Sequence, residues 1–316
     1  MKADEIAIFV FSFNRGKFLL NCLESIEICA PNIQVFVLDD SSDDPQTLSV
    51  LDTLRDRYNV IVNDDSEAVE FKTGGLAGAM NMAIQLARRQ GIQYAYFIQD
   101  DMQFVRSLTN SDIEQYAEYF RLTPNSIQLS TSFVRQLSAD TFSVDYDISL
   151  SAGAYLRRKA RERSKSNFSD TGIFSVHRFF EIFEKFEVGE NKNSQKARDF
   201  GLTCGRAIYP SICWLPYPTS YRGKRRSLKH MFFERYGRSG FHPINIMTET
   251  EASRFVERDP NVLPVMEKFL LSPYSPRHDI WSTGGGEYNF ICYNGKLAKI
   301  FTAARSLKNF LRGGTP

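Results

Sequence analysis

The sequence predicts an α/β fold in which a doubly wound, mostly parallel sheet is covered by helices on both faces, with a more variable second half. Three observations predict it. Strand-like and helix-like periods alternate with short connections over about the first hundred residues. The strand-like runs are continuously apolar, as in strands buried on both faces. Polar residues, many of them acidic, follow each run at its carboxyl end, where ligands collect in open α/β sheets.

The elements justify this in order. Residues 6–13 (IAIFVFSF) form an apolar and aromatic strand stopped by Asn14, Arg15 and Gly16. Phe18, Leu19, Cys22, Leu23 and Ile26 then recur at helical spacing until Pro31. Residues 35–38 read as strand, 45–58 as helix and 60–62 as strand. Leu76, Ala79, Met80, Ala83 and Ala87 share one helical face, with Gly91 placed to cap its end. Residues 94–98 form the fourth strand and deliver the chain to Gln99, Asp100 and Asp101. Beyond Ser107 the alternation loosens. Residues 112–122 read as helix, 127–134 as strand, 138–151 as alternating strand and turn, 171–176 as strand, and 179–186 and 191–200 as helices. The run RRKARERSKSNFSD from Arg157 reads as a charged surface loop or a solvated helix face. After Pro210 an aromatic and proline-rich loop carries Trp214, Pro216, Tyr217 and Pro218. These readings divide the chain into a first half over 1–106, a second half over 107–235 and an extension over 236–316.

Composition narrows the function. With 316 residues, 42% hydrophobic and 24% charged, the chain has the make-up of a globular protein with a sizeable core. Its 39 basic and 37 acidic residues leave a formal charge of +2, so no overall field calls for nucleic acid as partner. The five cysteines are scattered without a C-x-x-C pair, which argues against a disulfide framework or zinc ribbon. The acidic N-terminus and the lack of a long apolar run point to a cytoplasmic location.

The carboxyl edge holds the chemistry. Ser12, Asn14 and Arg15 follow the first strand, Asp39 to Ser42 the second, Asn63 to Asp65 the third, and Asp100 and Asp101 the fourth. Converging carboxylates repel by roughly 4 kcal/mol per close pair at an effective dielectric of about 20. A divalent cation relieves this, and Mg²⁺ or Mn²⁺ held by one or two carboxylates is commonly completed by substrate phosphates.

In ordered motifs the chain resembles glycosyltransferase family 2, the inverting enzymes of GT-A fold that use nucleotide sugars. FSFNR at 11–15 looks like the family's first-strand loop, VLDDSSDD at 37–44 its nucleotide loop, GGLAGAMN at 74–81 its glycine-rich helix entry, and FIQDDMQF its Asp-x-Asp region. The resemblance spans about residues 6–217 and implies a Rossmann-like sheet with an acceptor-binding second half. Donor contacts then fall to Ser12, Phe13, Asn14, Arg15, Asp40, Gly74, Gly75, Asn81 and Asp100, with a uridine-type base at Asp40. The metal, Mn²⁺ or Mg²⁺, falls to Asp101 with Asp100. Gln99 stands where the first Asp of Asp-x-Asp is expected.

Inverting transfer needs a general base. The family's Glu-Asp pair reads Glu190–Asn191 here, and an amide takes no proton, so Glu190 is the first candidate and Asp170 the second. Arg222 and Lys224 in YRGKRRS stand where a loop closes over the diphosphate, while no histidine follows Trp214 to serve as a further metal ligand. At the C-terminus, Leu297, Ile300, Phe301, Ala304, Leu307 and Leu311 form a stripe flanked by Lys296, Lys299, Arg305, Lys308 and Arg312. This helix suits peripheral contact with the inner face of a membrane carrying a lipid-linked acceptor, or packing on the protein's own core. The implied partners are a nucleotide sugar and a glycan or lipid-linked acceptor, with no nucleic acid among them. Two other readings stay open: a non-catalytic nucleotide- or carbohydrate-binding relative, and a sugar nucleotidyltransferase, for which SFNRGK is a poor loop.

Overall fold

The structure, a computed structural model, describes residues 3–62, 75–158, 168–215 and 241–272. Strand β1 (Ile6–Ser12) is buried along its whole length because both of its faces are covered. Ile6, Ile8 and Val10 pack with Leu19, Cys22 and Leu23 of α1 (Gly16–Cys29). Ala7, Phe9 and Phe11 pack on the other side with Ala79, Met80 and Ala83 of α3 (Leu76–Arg89). This is why the run shows no apolar–polar alternation. Parallel partners flank it, β2 (Gln34–Asp39) and β4 (Tyr94–Gln99), and β2 pairs in parallel with β3 (Asn59–Val62). Helix α2 (Pro45–Leu54) lies between β2 and β3 in the chain. It starts where Asp44 accepts from the Thr47 N–H at 2.8 Å, with Pro45 at the first helical position.

The second half adds β6 (Ser126–Ser130), β7 (Tyr146–Ser149), β8 (Ala154–Arg157), β9 (Gly172–Ser175) and β10 (Thr203–Ala207) to the same sheet. Among the described residues the sheet has nine strands in the order β3-β2-β1-β4-β9-β6-β10-β8-β7, and β5 (Met102–Phe104) pairs with β11 (Ile212–Trp214) in a separate ribbon. The expected parallel arrangement holds from β3 to β4. It breaks at β9, which runs antiparallel to both β4 and β6, and again at β8, antiparallel to β10 and β7.

Three local readings are corrected. Residues 138–151 include helix α5 (Gln136–Asp145) followed by β7. Its apolar face is little more than Ala139 and Phe142, the latter stacked on Tyr146 at 4.3 Å, so the helical period is faint. The helix expected over 179–186 is α6 (Val176–Arg178) continued by a π-helical turn, Phe179–Phe183, and ended by Glu184 at φ 64°. Trp214 lies in a strand rather than a loop, since β11 satisfies its backbone against β5. Past Thr203, helix α7 (Glu190–Asp199) has given way to β10.

Two features fix the second half to the first. Gly172 opens β9 at φ +115°, and a Cβ there would stand 2.5 Å from the Leu129 carbonyl oxygen of β6. Gly172→Ala is therefore expected to cost about 2–4 kcal/mol from strain and overpacking, measurable by urea unfolding. The buried Arg106 guanidinium grips Asp112 twice, at 2.9 and 2.7 Å, and also donates to the Tyr209 carbonyl at 2.9 Å. Asp112 in turn closes a capping box with Thr109 at the start of α4 (Asn110–Leu122).

Residues 241–272 pack on this region. Ile244, Phe255 of α8 (Glu249–Val256) and Met266 of α9 (Met266–Phe269) form a cluster with Phe18, Val105, Phe133 and Leu215. Gln103 holds Ile244 by both ends of its amide, at 2.5 and 3.0 Å. No helix among the described residues is long and apolar enough to cross a membrane. The amphipathic segment over 296–312 lies outside the described residues.

Candidate active site

The carboxyl ends of β1, β2 and β4 lie side by side, with Ser12 opposite Asp39 and Phe11 opposite Gln99. The loops that follow are bonded to one another. The Asp40 N–H donates to the Ser12 carbonyl at 3.0 Å. Asn14, at φ 52°, accepts from the N–H groups of Asp43 and Asp44, each at 2.9 Å, and donates to the Asp43 carboxylate at 2.6 Å. An asparagine tolerates this left-handed conformation better than most residues. Asp39 is buried and spends its carboxylate on Ser42. Asp40 instead reaches across to the N–H of Gly75 at the N-terminus of α3, where a negative charge is favourable.

At the end of β4, Asp100 and Asp101 are both buried. The Phe13 N–H donates to Asp100 at 3.2 Å, and the Arg15 guanidinium donates to Asp100 at 3.2 Å and to Asp101 at 2.6 Å. Burial pushes the Asp100 carboxyl up to about 7, opposed by Arg15 and reinforced by Asp101. One oxygen of Asp101, Oδ1, is buried without any hydrogen-bond partner, an expensive state for a carboxylate. The Ser12 hydroxyl, at the end of the neighbouring strand β1, is likewise buried and unpartnered. No group of three or more His, Cys, Asp or Glu side chains that could hold a metal occurs among the described residues. Two carboxylates with an orphaned oxygen nevertheless fit a divalent cation whose remaining ligands are substrate phosphates and water.

The reversed β9 brings the second set of carboxylates to the same edge. Gly172 lies opposite Phe97, so the residues before it leave the sheet at the carboxyl end of β4. Asp170 precedes β9 by two residues and is within hydrogen-bonding reach of Glu190, the first residue of α7. Burial, reinforced by the charge and hydrogen bond of Glu190, pushes the Asp170 carboxyl up to about 7. The two alternative bases read from sequence thus form one pair. Asn81 does something different: its amide donates to the Phe186 carbonyl at 3.0 Å and accepts from the Phe186 N–H at 2.8 Å. It anchors the segment leading to Glu190. Sequence reasoning missed Arg135, which stands over the Trp214 ring at 5.3 Å. Gly74, Arg222 and Lys224, like Asn63, Asp64 and Asp65, lie outside the described residues.

Comparison with known proteins shows the family. Residues 7–185 match the family model described as glycosyl transferase family 2. No curated protein matches the chain significantly. Among solved structures, S. aureus TarS 1–349 is 16% identical with a TM-score of 0.44, covering 66% of this chain and 60% of its own. The mannosyltransferase PcManGT from Pyrobaculum calidifontis, in complex with GDP-Man and Mn²⁺, is 13% identical with a TM-score of 0.44, covering 83% and 68%. The chain thus spans less than two thirds of the TarS fragment.

Proposed function

Because the chain belongs to glycosyl transferase family 2, we propose that it moves a hexosyl unit from a nucleoside-diphosphate sugar, UDP-linked, to a hydroxyl acceptor with inversion, in glycan or polysaccharide synthesis. The observation that carries this reading is the orphaned Oδ1 of Asp101 beside Asp100, on the edge that also holds Asp40. Asp101 and Asp100 would hold Mn²⁺ or Mg²⁺, which supplies positive charge to the departing diphosphate. Asp40 and the loop around Asn14 orient the nucleoside. The Asp170–Glu190 pair takes the acceptor hydroxyl's proton, in place of the carboxylate that Asn191 lacks. Arg15 compensates the buried carboxylates until the donor arrives. The acceptor is a glycan or lipid-linked hydroxyl, and the segment over 296–312 would bring the protein to the membrane surface.

Thermal-shift titration with UDP, GDP, CDP and dTDP, with and without Mn²⁺, tests the donor, since a ligand that binds only the folded state raises its stability. UDP is expected to raise Tm, more so with Mn²⁺. No shift from any nucleoside diphosphate at saturation refutes the reading. In Asp101→Asn the Mn²⁺-dependent part of the shift should disappear while the metal-free part persists.

Gln99 and Asn191, at two positions where the resemblance implies acids, favour a second reading: a relative that binds nucleotide without transfer. Incubation with a UDP-sugar panel and Mn²⁺ separates the two. Slow donor hydrolysis that is lost in Glu190→Gln supports transfer, whereas tight UDP binding with no turnover of any sugar supports the binding protein.

A further inference from the structure

Arg135 precedes α5, and its guanidinium lies over Trp214, 5.3 Å from the ring centroid. Trp214 is itself fixed to the site, because it faces Met102 in the β5–β11 ribbon and the next N–H, that of Leu215, donates to the Asp101 carbonyl at 2.9 Å. The residue beneath the guanidinium is therefore tied to the backbone that carries Asp101.

Three other sheltered arginines in this fold are supplied with acceptors. Arg106 has Asp112 and three carbonyls. Arg178 donates to the carbonyls of Thr123, Ser126 and Phe120 at 2.9, 2.8 and 2.5 Å. Arg258 donates to Phe255, Val262 and Ile208. The Arg135 guanidinium makes no hydrogen bond or ion pair with any described residue, and its close contact is the Trp214 indole ring. Asp101 and Glu267 act on it from a distance, and Arg206 repels it. Glu267 is engaged by the Gln136 N–H at 2.9 Å. A guanidinium presents five N–H donors in a planar fork, and withdrawing them from water without acceptors is unfavourable. A ligand oxyanion satisfies both its charge and its geometry.

We infer that Arg135, seated on Trp214, is an oxyanion subsite that takes a phosphate group of the substrate. The inference rests on the proposed function for the phosphate's source, which is either the donor diphosphate or a phosphate carried by the acceptor. Calorimetric titration of the full chain and of Arg135→Met, with Mg²⁺ present, distinguishes these sources. The probes are UDP, uridine, inorganic pyrophosphate, and glucose 1-phosphate added to the UDP-saturated protein. If the donor is the source, Arg135→Met binds UDP and pyrophosphate at least about ten-fold more weakly and uridine unchanged, as expected for losing charge-assisted hydrogen bonds. If the acceptor is the source, only binding of the sugar phosphate falls. In both cases Tm should hold or rise, because a sheltered cation without acceptors has been removed. Affinities within two-fold of the parent for every phosphate probe overturn the inference, as does a parallel fall in Tm and in binding of all probes, uridine included. A parent that binds pyrophosphate but neither UDP nor uridine refutes the donor reading alone, and the pyrophosphate comparison still decides the role of Arg135. A parent that binds no phosphate probe overturns the subsite.

Discussion

Replacing Glu190 with glutamine is expected to lower turnover by about 10²–10⁴-fold while leaving UDP affinity unchanged, the loss typical of a missing general base. Glutamine keeps the size and polarity of the side chain, so a purely structural role for Glu190 would survive the change. The pairing with Asp170 adds a pH signature. Asp170 is pushed up to about 7 by burial and by Glu190, so it keeps its proton below about pH 7 and releases it above. The parent's kcat/KM should rise with pH and level off above about 7. In Asp170→Asn the rise near pH 7 should be lost, because the raised carboxyl is no longer there to titrate. Stability follows the opposite sense. A carboxyl that titrates higher in the folded state than in the unfolded one binds protons more tightly when folded, so its contribution is fully present below about pH 4 and is lost as pH rises through about 7. Urea unfolding of Asp170→Asn should lack that decline and exceed the parent's stability at pH 8. A pH–rate profile identical in the two proteins would exclude Asp170 from the proton transfer.

Asp112→Ala is expected to destabilise the fold by about 3–5 kcal/mol, a large share of the roughly 5–15 kcal/mol that holds a typical domain together. The reason lies in what remains. Arg106 keeps its charge in a dry environment with only the carbonyls of Tyr209, Pro210 and Ser107 as acceptors. Helix α4 also loses its capping box. Removing both charges at once, as Arg106→Met with Asp112→Leu, should recover most of the loss, since the penalty comes from the isolated charge more than from the missing attraction. Urea denaturation of the two single variants and the double variant measures the coupling. Additive losses would show that the ion pair is not the source.

Much of the first half was legible because each strand–helix unit satisfies its own local rule. The run from Ile6 to Ser12 is apolar on both faces and sits between α1 and α3. The spacing of Ala79, Met80, Ala83 and Ala87 is a helix face, and those residues are buried. The acidic edge was legible for the same reason, since Asp39, Asp100 and Asp101 follow strands whose ends are easily read. The direction of β9 was not, because pairing with β4 and β6 decides it and a short apolar run looks the same either way. Helix α5 was missed through its sparse apolar face. The partner of Asn81 was not legible, because its distance in sequence from Phe186 conceals the clamp between them. Arg135 escaped notice because its interest lies in the acceptors it lacks, which only three-dimensional neighbours reveal.

The reversed course of β9 carries an evolutionary consequence. A strand entering the sheet from the ligand-binding side makes that edge the last stop of whatever segment precedes it. On the proposed function, insertions or replacements upstream of Asp170 would reshape acceptor selectivity while Asp170 stays registered by Gly172 against Phe97. Donor chemistry and acceptor choice become separately tunable on one scaffold.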